Sequence, residues 1–197
     1  TLLSCEETGK AAVVDPGGEL DRIIAAAEEL GVEIEKILLT HAHVDHAGGA
    51  GELSRRLGLP IEGPHREDNF WIQALPEQSK AFGLPAAETF EPARWLEQGD
   101  EVLVENSSLE VRHCPGHTPG HVIFFQASDR VALVGDVLFR GSIGRTDFPG
   151  SNHEQLLESI RTQLFSLGDE VEFISGHGPL STIGHERKTN PFLSRYY

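Results

Sequence analysis

Apolar and polar positions alternate in short runs along this chain, and only a few stretches hold a helical rhythm. Leu2 to Cys5 and Ala11 to Val14 read as two strands joined by the polar turn EETGK. Asp15-Pro16-Gly17-Gly18 stops the second strand. Leu20 to Leu30 then repeats at helical spacing, with Leu20, Ile23, Ile24, Ala27 and Leu30 on one face and Gly31 as the stop. Ile37 to Leu39 is a short apolar strand, and Gly48 to Leu57 a helix. The stretch 63–91 is less regular. It carries a helix over Asn69 to Phe82, broken at Pro76 or just before it. Phe70, Trp71, Phe82 and Phe90 in this stretch are expected in the core, with the roof of a cleft as their other use.

The second half is richer in strands. Glu101 to Val104, Leu109 to Cys114, His121 to Gln126 and Val131 to Val134 are short β candidates. Leu156 to Leu167 reads as a helix, and Glu172 to Ser175 as a strand followed by the loop GHGPLSTIG. No repeat or linker interrupts the chain, and both halves mix strands with helices. The expectation is one domain over 1–197, with two sheets sharing a core and helices outside. A length of 197 residues is enough for one substantial core.

Charge narrows the partners. The chain has 31 acidic and 16 basic residues, a formal net charge of −15, which repels nucleic acid and anionic membrane surfaces. The expectation from charge is therefore no nucleic acid and no membrane as partner. Cys5 and Cys114 make no disulfide framework and fit a reducing compartment, so the expected location is cytoplasmic. The chain begins at Thr1 with a strand already under way, so a few residues are expected to precede it, and a removed leader stays open.

The densest chemistry is THAHVDH, Thr40 to His46, at the carboxyl end of an apolar strand. Residues two apart in an extended segment can point the same way, as His41 and His43 can here. Asp45 and His46 follow at once. Imidazole suits zinc, and carboxylate is a hard oxygen donor. Three later segments add donors: His117 in CPGHTPGH, Asp136 closing the strand of LVGD, and His177 in SGHG. Each alone would read as structural. Together they make seven donors at strand ends, enough for two adjacent metal sites. His65, His113, His121, His153 and His185 have no second donor beside them and stay outside the set. Cys114 is read as a buried apolar residue.

These segments, with the VVDPGG loop and the closing NPFL, resemble the metallo-β-lactamase superfamily over nearly the entire chain. Within it the chain is most similar to the type II glyoxalases (hydroxyacylglutathione hydrolases) in their short bacterial single-domain form. The resemblance implies an α/β fold, a four-layer αββα sandwich. It implies one metal on His41, His43 and His117, a second on Asp45, His46 and His177, and Asp136 bridging the two. Asp15 would support the histidine loop without ligating metal. Two divalent ions are implied, zinc first, with iron or manganese as alternatives. The related diiron oxygen reductases carry glutamate where this chain has His43, which favours hydrolysis over redox chemistry.

The implied reaction is cleavage of the thioester of S-lactoylglutathione, or a similar acyl-thiol, by a metal-bridging hydroxide that Asp45 holds. Arg145 in FRGSIGRTD matches a substrate-binding basic position of the family, and Arg140 is a second candidate without such a match. Two-domain members have tyrosine where this chain has Asp147, and they carry a helical C-terminal domain. The alternatives are another hydrolase of the same fold, acting on a lactone, β-lactam or phosphoester, and an iron-dependent persulfide dioxygenase.

Overall fold

The computed structural model describes residues 1–193. They fall into two compact units, 1–96 with 102–108, and 97–101 with 109 onward. The last four residues of the expected 1–197 domain lie outside the described ones.

The first unit is built on a sheet ordered β1-β2-β3-β4, from β1 (Leu2–Ser4), β2 (Lys10–Val14), β3 (Glu33–Leu38) and β4 (Ile61–Glu62). β1 pairs antiparallel with β2, whereas β2–β3 and β3–β4 are parallel. A parallel pair needs a crossover, and α1 (Leu20–Leu30) supplies the first. It ends as expected at Gly31, in the left-handed conformation. Leu20 and Ala27 face inward, but Leu30 is exposed, against expectation. Ten residues on from Leu20, it lies about 80° around the helix and off the buried stripe.

The helix expected over Gly48 to Leu57 starts two residues later, and a further short helix precedes it. A short α2 (Val44–Ala47) already contains Asp45 and His46, and α3 (Ala50–Leu57) follows. The broken helix is confirmed as α4 (Asn69–Gln73) and α5 (Leu75–Phe82), joined at Ala74. Only part of its aromatic content is core. Trp71 is buried and Phe90 partly so, but Phe70 and Phe82 are exposed. Ile72, Leu75, Gln78 and Ser79 occupy the inward face instead. Ala11 to Val14 and Ile37 to Leu39 are nearly sealed from water. Each such Ile or Leu contributes roughly 1.5–3 kcal/mol of burial.

The second unit's main strands belong to a six-stranded sheet. In chain order the remaining strands are β5 (Glu101–Val104), β6 (Ser107–His113), β7 (Val122–Gln126), β8 (Val131–Gly135), β9 (Leu138–Phe139), β10 (Ser142–Ile143), β11 (Glu172–Ser175) and β12 (Ser181–Thr182). β9 and β10 form a separate two-stranded hairpin. β6–β7 and β7–β8 are antiparallel, and β8–β11 is parallel. This topology brings the end of β6, the start of β7 and the ends of β8 and β11 to one edge of the sheet.

The helix expected over Leu156 to Leu167 starts earlier. It opens as α6 (His153–Ser159), capped by the Asn152 side chain, which accepts from the Gln155 amide at 3.0 Å. It continues as a π turn over Ile160–Leu164 and a 3-10 turn over Phe165–Leu167. The expected GHGPLSTIG loop instead holds β12 and the start of α7 (Ile183–Thr189). Ile123, Val134, Leu138, Leu156, Leu164 and Phe173 belong to this unit's apolar core, and fully buried Cys114 sits among them. Burial pushes the Cys114 thiol pKa well up, as an inert apolar residue requires.

Candidate metal centre

The first unit's donors follow from the parallel pairing of β2 and β3. Parallel strands end at the same edge, so Asp15 after β2 meets Thr40 and the histidines after β3. Asp15 takes positive φ, 52°. Its carboxylate accepts from the Thr40 amide at 2.8 Å and the Thr40 hydroxyl at 2.7 Å. Its Oδ2 also lies 3.0 Å from His46 Nδ1. The Thr40 hydroxyl is 3.0 Å from His41 Nδ1. With Nδ1 engaged in each ring, Nε2 is the nitrogen oriented for a ligand role. Ligand-capable atoms of Asp15, His41 and His46 all lie within 4.8 Å of one another.

His41, His43 and His46 are buried, and the His41 ring centroid lies 4.9 Å from that of His43 and 4.1 Å from that of His46. Asp45 is half exposed, with Oδ2 3.7 Å from His46 Nε2. Close approach of the DPGG loop holds Asp45 in place. A Cβ on Gly17 would fall 1.7 Å from the Asp45 carbonyl oxygen, so only glycine fits.

Sequence reasoning missed two supports of this loop. Fully buried Asp68 accepts from the Ala42 amide at 3.0 Å. Gln78 accepts from the Val44 amide at 3.0 Å and donates to the Trp71 carbonyl at 2.9 Å. Trp71 in turn meets His43 edge-on at 4.7 Å. Their only signal was a polar residue on an inward-facing helical position.

The second unit collects its donors at the shared sheet edge. Ser175 pairs with Gly135 across β11 and β8, and the Gly176 amide donates to the Gly135 carbonyl at 2.8 Å. Asp136 and His177 are thereby neighbours, although 41 positions separate their numbers (177 − 136). Asp136 Oδ2 lies 3.7 Å from His117 Nε2 and 3.6 Å from His177 Nε2. One carboxylate oxygen is thus within reach of two imidazoles. His117 and Asp136 are buried, and His177 is more than half exposed.

Each donor has a support here too. His117 Nδ1 donates to the Arg145 carbonyl at 2.8 Å, which directs Nε2 outward as the ligand nitrogen. The Asp136 amide donates to His121 Nε2 at 3.0 Å, so His121, left outside the donor set, sits directly behind a candidate ligand. Gly144 presses on Asp136: a Cβ there would stand 2.0 Å from its carbonyl oxygen.

The Arg145 side chain does not stand alone. Its guanidinium makes a paired contact with Asp147, at 3.0 and 2.8 Å, and stacks over Phe148 at 4.7 Å. Phe148 lies edge-on to His117 at 5.9 Å. Asp147 holds the Arg145 pKa up, and Arg145 holds the Asp147 carboxyl below the usual carboxylate range. Arg140 is exposed at the β9–β10 turn.

The donor set is imidazole and carboxylate without thiolate, which fits zinc, iron or manganese. In the first unit Asp15, His41 and His46 form a cluster able to hold a divalent ion, and in the second His117 and His177 each approach the Asp136 carboxylate. Residues 2–177 match the metallo-beta-lactamase superfamily. The chain belongs to that superfamily, whose α/β fold is the αββα sandwich. Among its relatives, hydroxyacylglutathione hydrolase GloC of Haemophilus influenzae is 46% identical over 190 residues, covering 96% of this chain and 90% of that protein. The solved structure of BLEG-1 B3 metallo-beta-lactamase is 34% identical, with TM-score 0.89, and the match covers 98% of this chain and 92% of that one. TTHA1623, solved in a di-iron-bound form, is 38% identical with TM-score 0.88, covering 98% and 93%.

Proposed function

We propose that this protein hydrolyses the thioester of S-lactoylglutathione or a closely similar acyl-thiol. It is a metal-dependent hydrolase of the glyoxalase II type, acting on a thioester or similar acyl linkage. The observation that carries the reading is Asp136, whose Oδ2 lies within 3.7 Å of His117 Nε2 and 3.6 Å of His177 Nε2. That is the placement a carboxylate needs to serve two ions. The relative named a hydroxyacylglutathione hydrolase supports the substrate.

In this reading residues 1–197 form one domain. His41, His43 and His117 would hold one ion, Asp45, His46 and His177 the other, and Asp136 both. Two divalent ions in this set would supply a water acidified to a pKa of about 7 and a Lewis acid for the substrate carbonyl oxygen. Zinc is the first choice from the ligand types, and the di-iron form of TTHA1623 keeps iron beside it.

The chain's own groups do the rest. Half-exposed Asp45 holds the attacking water by hydrogen bond and orients it toward the carbonyl carbon. Asp15 and the Arg145 carbonyl keep Nδ1 of His46 and His117 engaged, so both rings stay aimed. A thiolate leaves without help from a strong acid, so no further proton donor is needed. Arg145, with Arg140 as a second cation, binds the peptide carboxylates of the thiol. Asp147 competes for Arg145, which makes capture of an anionic thiol weak for this chain.

The partner is a small acyl-thiol rather than nucleic acid or membrane. No helix among the described residues is long and apolar enough to cross a membrane. The charge and the two buried cysteines fit a cytoplasmic location. The test is hydrolysis of S-lactoylglutathione by zinc- and iron-loaded protein, beside a lactone, a phosphodiester and a β-lactam. Turnover of the thioester well above free metal ion is expected. Turnover of only the β-lactam would move the assignment toward the chemistry for which BLEG-1 is named.

A further inference from the structure

One buried carboxylate lies outside this chemistry. Glu186, on α7, has no exposed surface. A sealed carboxylate is costly unless its oxygens are satisfied, and here they are. The Gly141 amide donates to Oε2 at 2.8 Å, Asn190 Nδ2 donates to Oε2 at 2.9 Å, and the Ser181 hydroxyl donates to Oε1. Asn190, also fully buried, donates to the Ser142 carbonyl at 3.0 Å and reaches toward the Phe139 carbonyl at 3.5 Å. One helical turn of α7 thus grips the tip of the β9–β10 hairpin through an amide and two carbonyls.

The base of that hairpin is the candidate metal centre. The strand β9 leaves directly after Asp136, and Gly144, just past β10, returns against the Asp136 carbonyl. The next residue, Arg145, presents the carbonyl that orients His117. Phe139 of β9 lies 6.3 Å from the His177 ring. Ser181, gripped by the same carboxylate, stands four residues after His177. Each donor of the second unit is therefore linked to an element that Glu186 or Asn190 holds.

We propose that Glu186 and Asn190 are positioning residues: together they clamp the β9–β10 hairpin and so set the geometry of Asp136 and, through the Arg145 carbonyl, of His117. The role rests on reading Asp136, His117 and His177 as metal ligands, but not on the identity of the substrate. Neither residue is among the seven candidate ligands. Glu186→Gln replaces one acceptor with a donor, which then faces the Gly141 amide and the Asn190 amide or the Ser181 hydroxyl. Asn190→Ala removes the grip on the strand carbonyls and leaves the Gly141 contact.

The test uses full-length protein loaded with Co2+, whose visible absorption reports ligand geometry. Glu186→Gln is expected to shift that spectrum and to lose Co2+ to a chelator about 10–100 times more readily. Its kcat should fall by a similar factor with KM little changed. Asn190→Ala should move the same readouts in the same direction, which keeps the idea testable if Glu186→Gln does not fold. Leu164→Ala, a cavity in the same unit's core at a side chain that makes none of the clamp's hydrogen bonds, serves as the stability control. It should lower Tm while the Co2+ spectrum and kcat hold. Spectra and Co2+ retention like wild type in both clamp variants would overturn the proposal. So would changes no larger than those of Leu164→Ala. A wild-type protein that binds no Co2+ would overturn the ligand reading, and the clamp's role with it.

Discussion

The two units make their donors in opposite ways. The first places four candidate ligands within six consecutive positions, His41 to His46, on one strand end and one turn of helix. The second gathers His117, Asp136 and His177 from three separate strand ends. In the first unit local spacing does most of the work, and tertiary contacts only steady the loop, through Asp15, Asp68 and Gln78. In the second unit nothing local relates the donors. Their proximity comes from the parallel pairing of β8 with β11 and the antiparallel return of β6 and β7. A contiguous cluster is therefore robust to register, and a distributed one depends on it, because a slip of one residue turns every side chain to the other face.

The sharpest way to test that contrast is to remove a donor whose place depends on register. Asp136→Asn should lower hydrolysis to the level of free metal ion and reduce the metal bound per chain, measured by elemental analysis of the purified protein. Chelation of the wild type should produce the same loss, reversed by adding zinc or iron. Retention of full metal content in Asp136→Asn would show that the second unit's donors do not act as one group.

The next effect concerns the local half. Asp15→Asn keeps a residue that tolerates positive φ but weakens the acceptor for Thr40 and His46. A loss of about 10–100-fold in activity or metal affinity is expected, read from a chelator competition. If the contiguous cluster held its geometry without Asp15, both values would stay near wild type.

Glycine packing compares the two halves on equal terms. Gly17→Ala drives a Cβ against the Asp45 carbonyl, and Gly144→Ala does the same at the Asp136 carbonyl. Each should destabilise by about 1–3 kcal/mol in a denaturant titration, as overpacking does. Gly144→Ala should also disturb metal binding more than Gly17→Ala, because it pushes on the hairpin base and on His117 together.

The smallest effect is at the exposed pair. Asp147→Asn should leave Tm unchanged, since exposed ion pairs contribute little, and should lower KM for a glutathione thioester but not for an uncharged acyl-thiol. The sign with pH follows from the lowered Asp147 pKa. The carboxylate stays ionised and paired at neutral pH, and the pairing is lost only as pH falls through that lowered value. Wild-type KM should therefore approach the variant's only in acid.

By itself the sequence determined the strand-and-helix order in most places, because strand ends and helix stops are marked by local chemistry: the DPGG turn, Gly31 after α1, the break before Pro76. It also offered the seven candidate donors, since side-chain type and strand-end position are written in the chain. It misjudged Leu30, Phe70 and Phe82, because burial depends on what packs opposite, and periodicity alone carries no partner. Only the tertiary structure decided the supports: Asp68 and Gln78 behind the histidine loop, His121 behind Asp136, the engagement of Arg145 by Asp147, and the Glu186–Asn190 clamp. The physical reason is the same throughout. A ligand is recognised by its own chemistry, whereas a support is defined by the distance to the group it holds, and that distance exists only once the strands have chosen their neighbours.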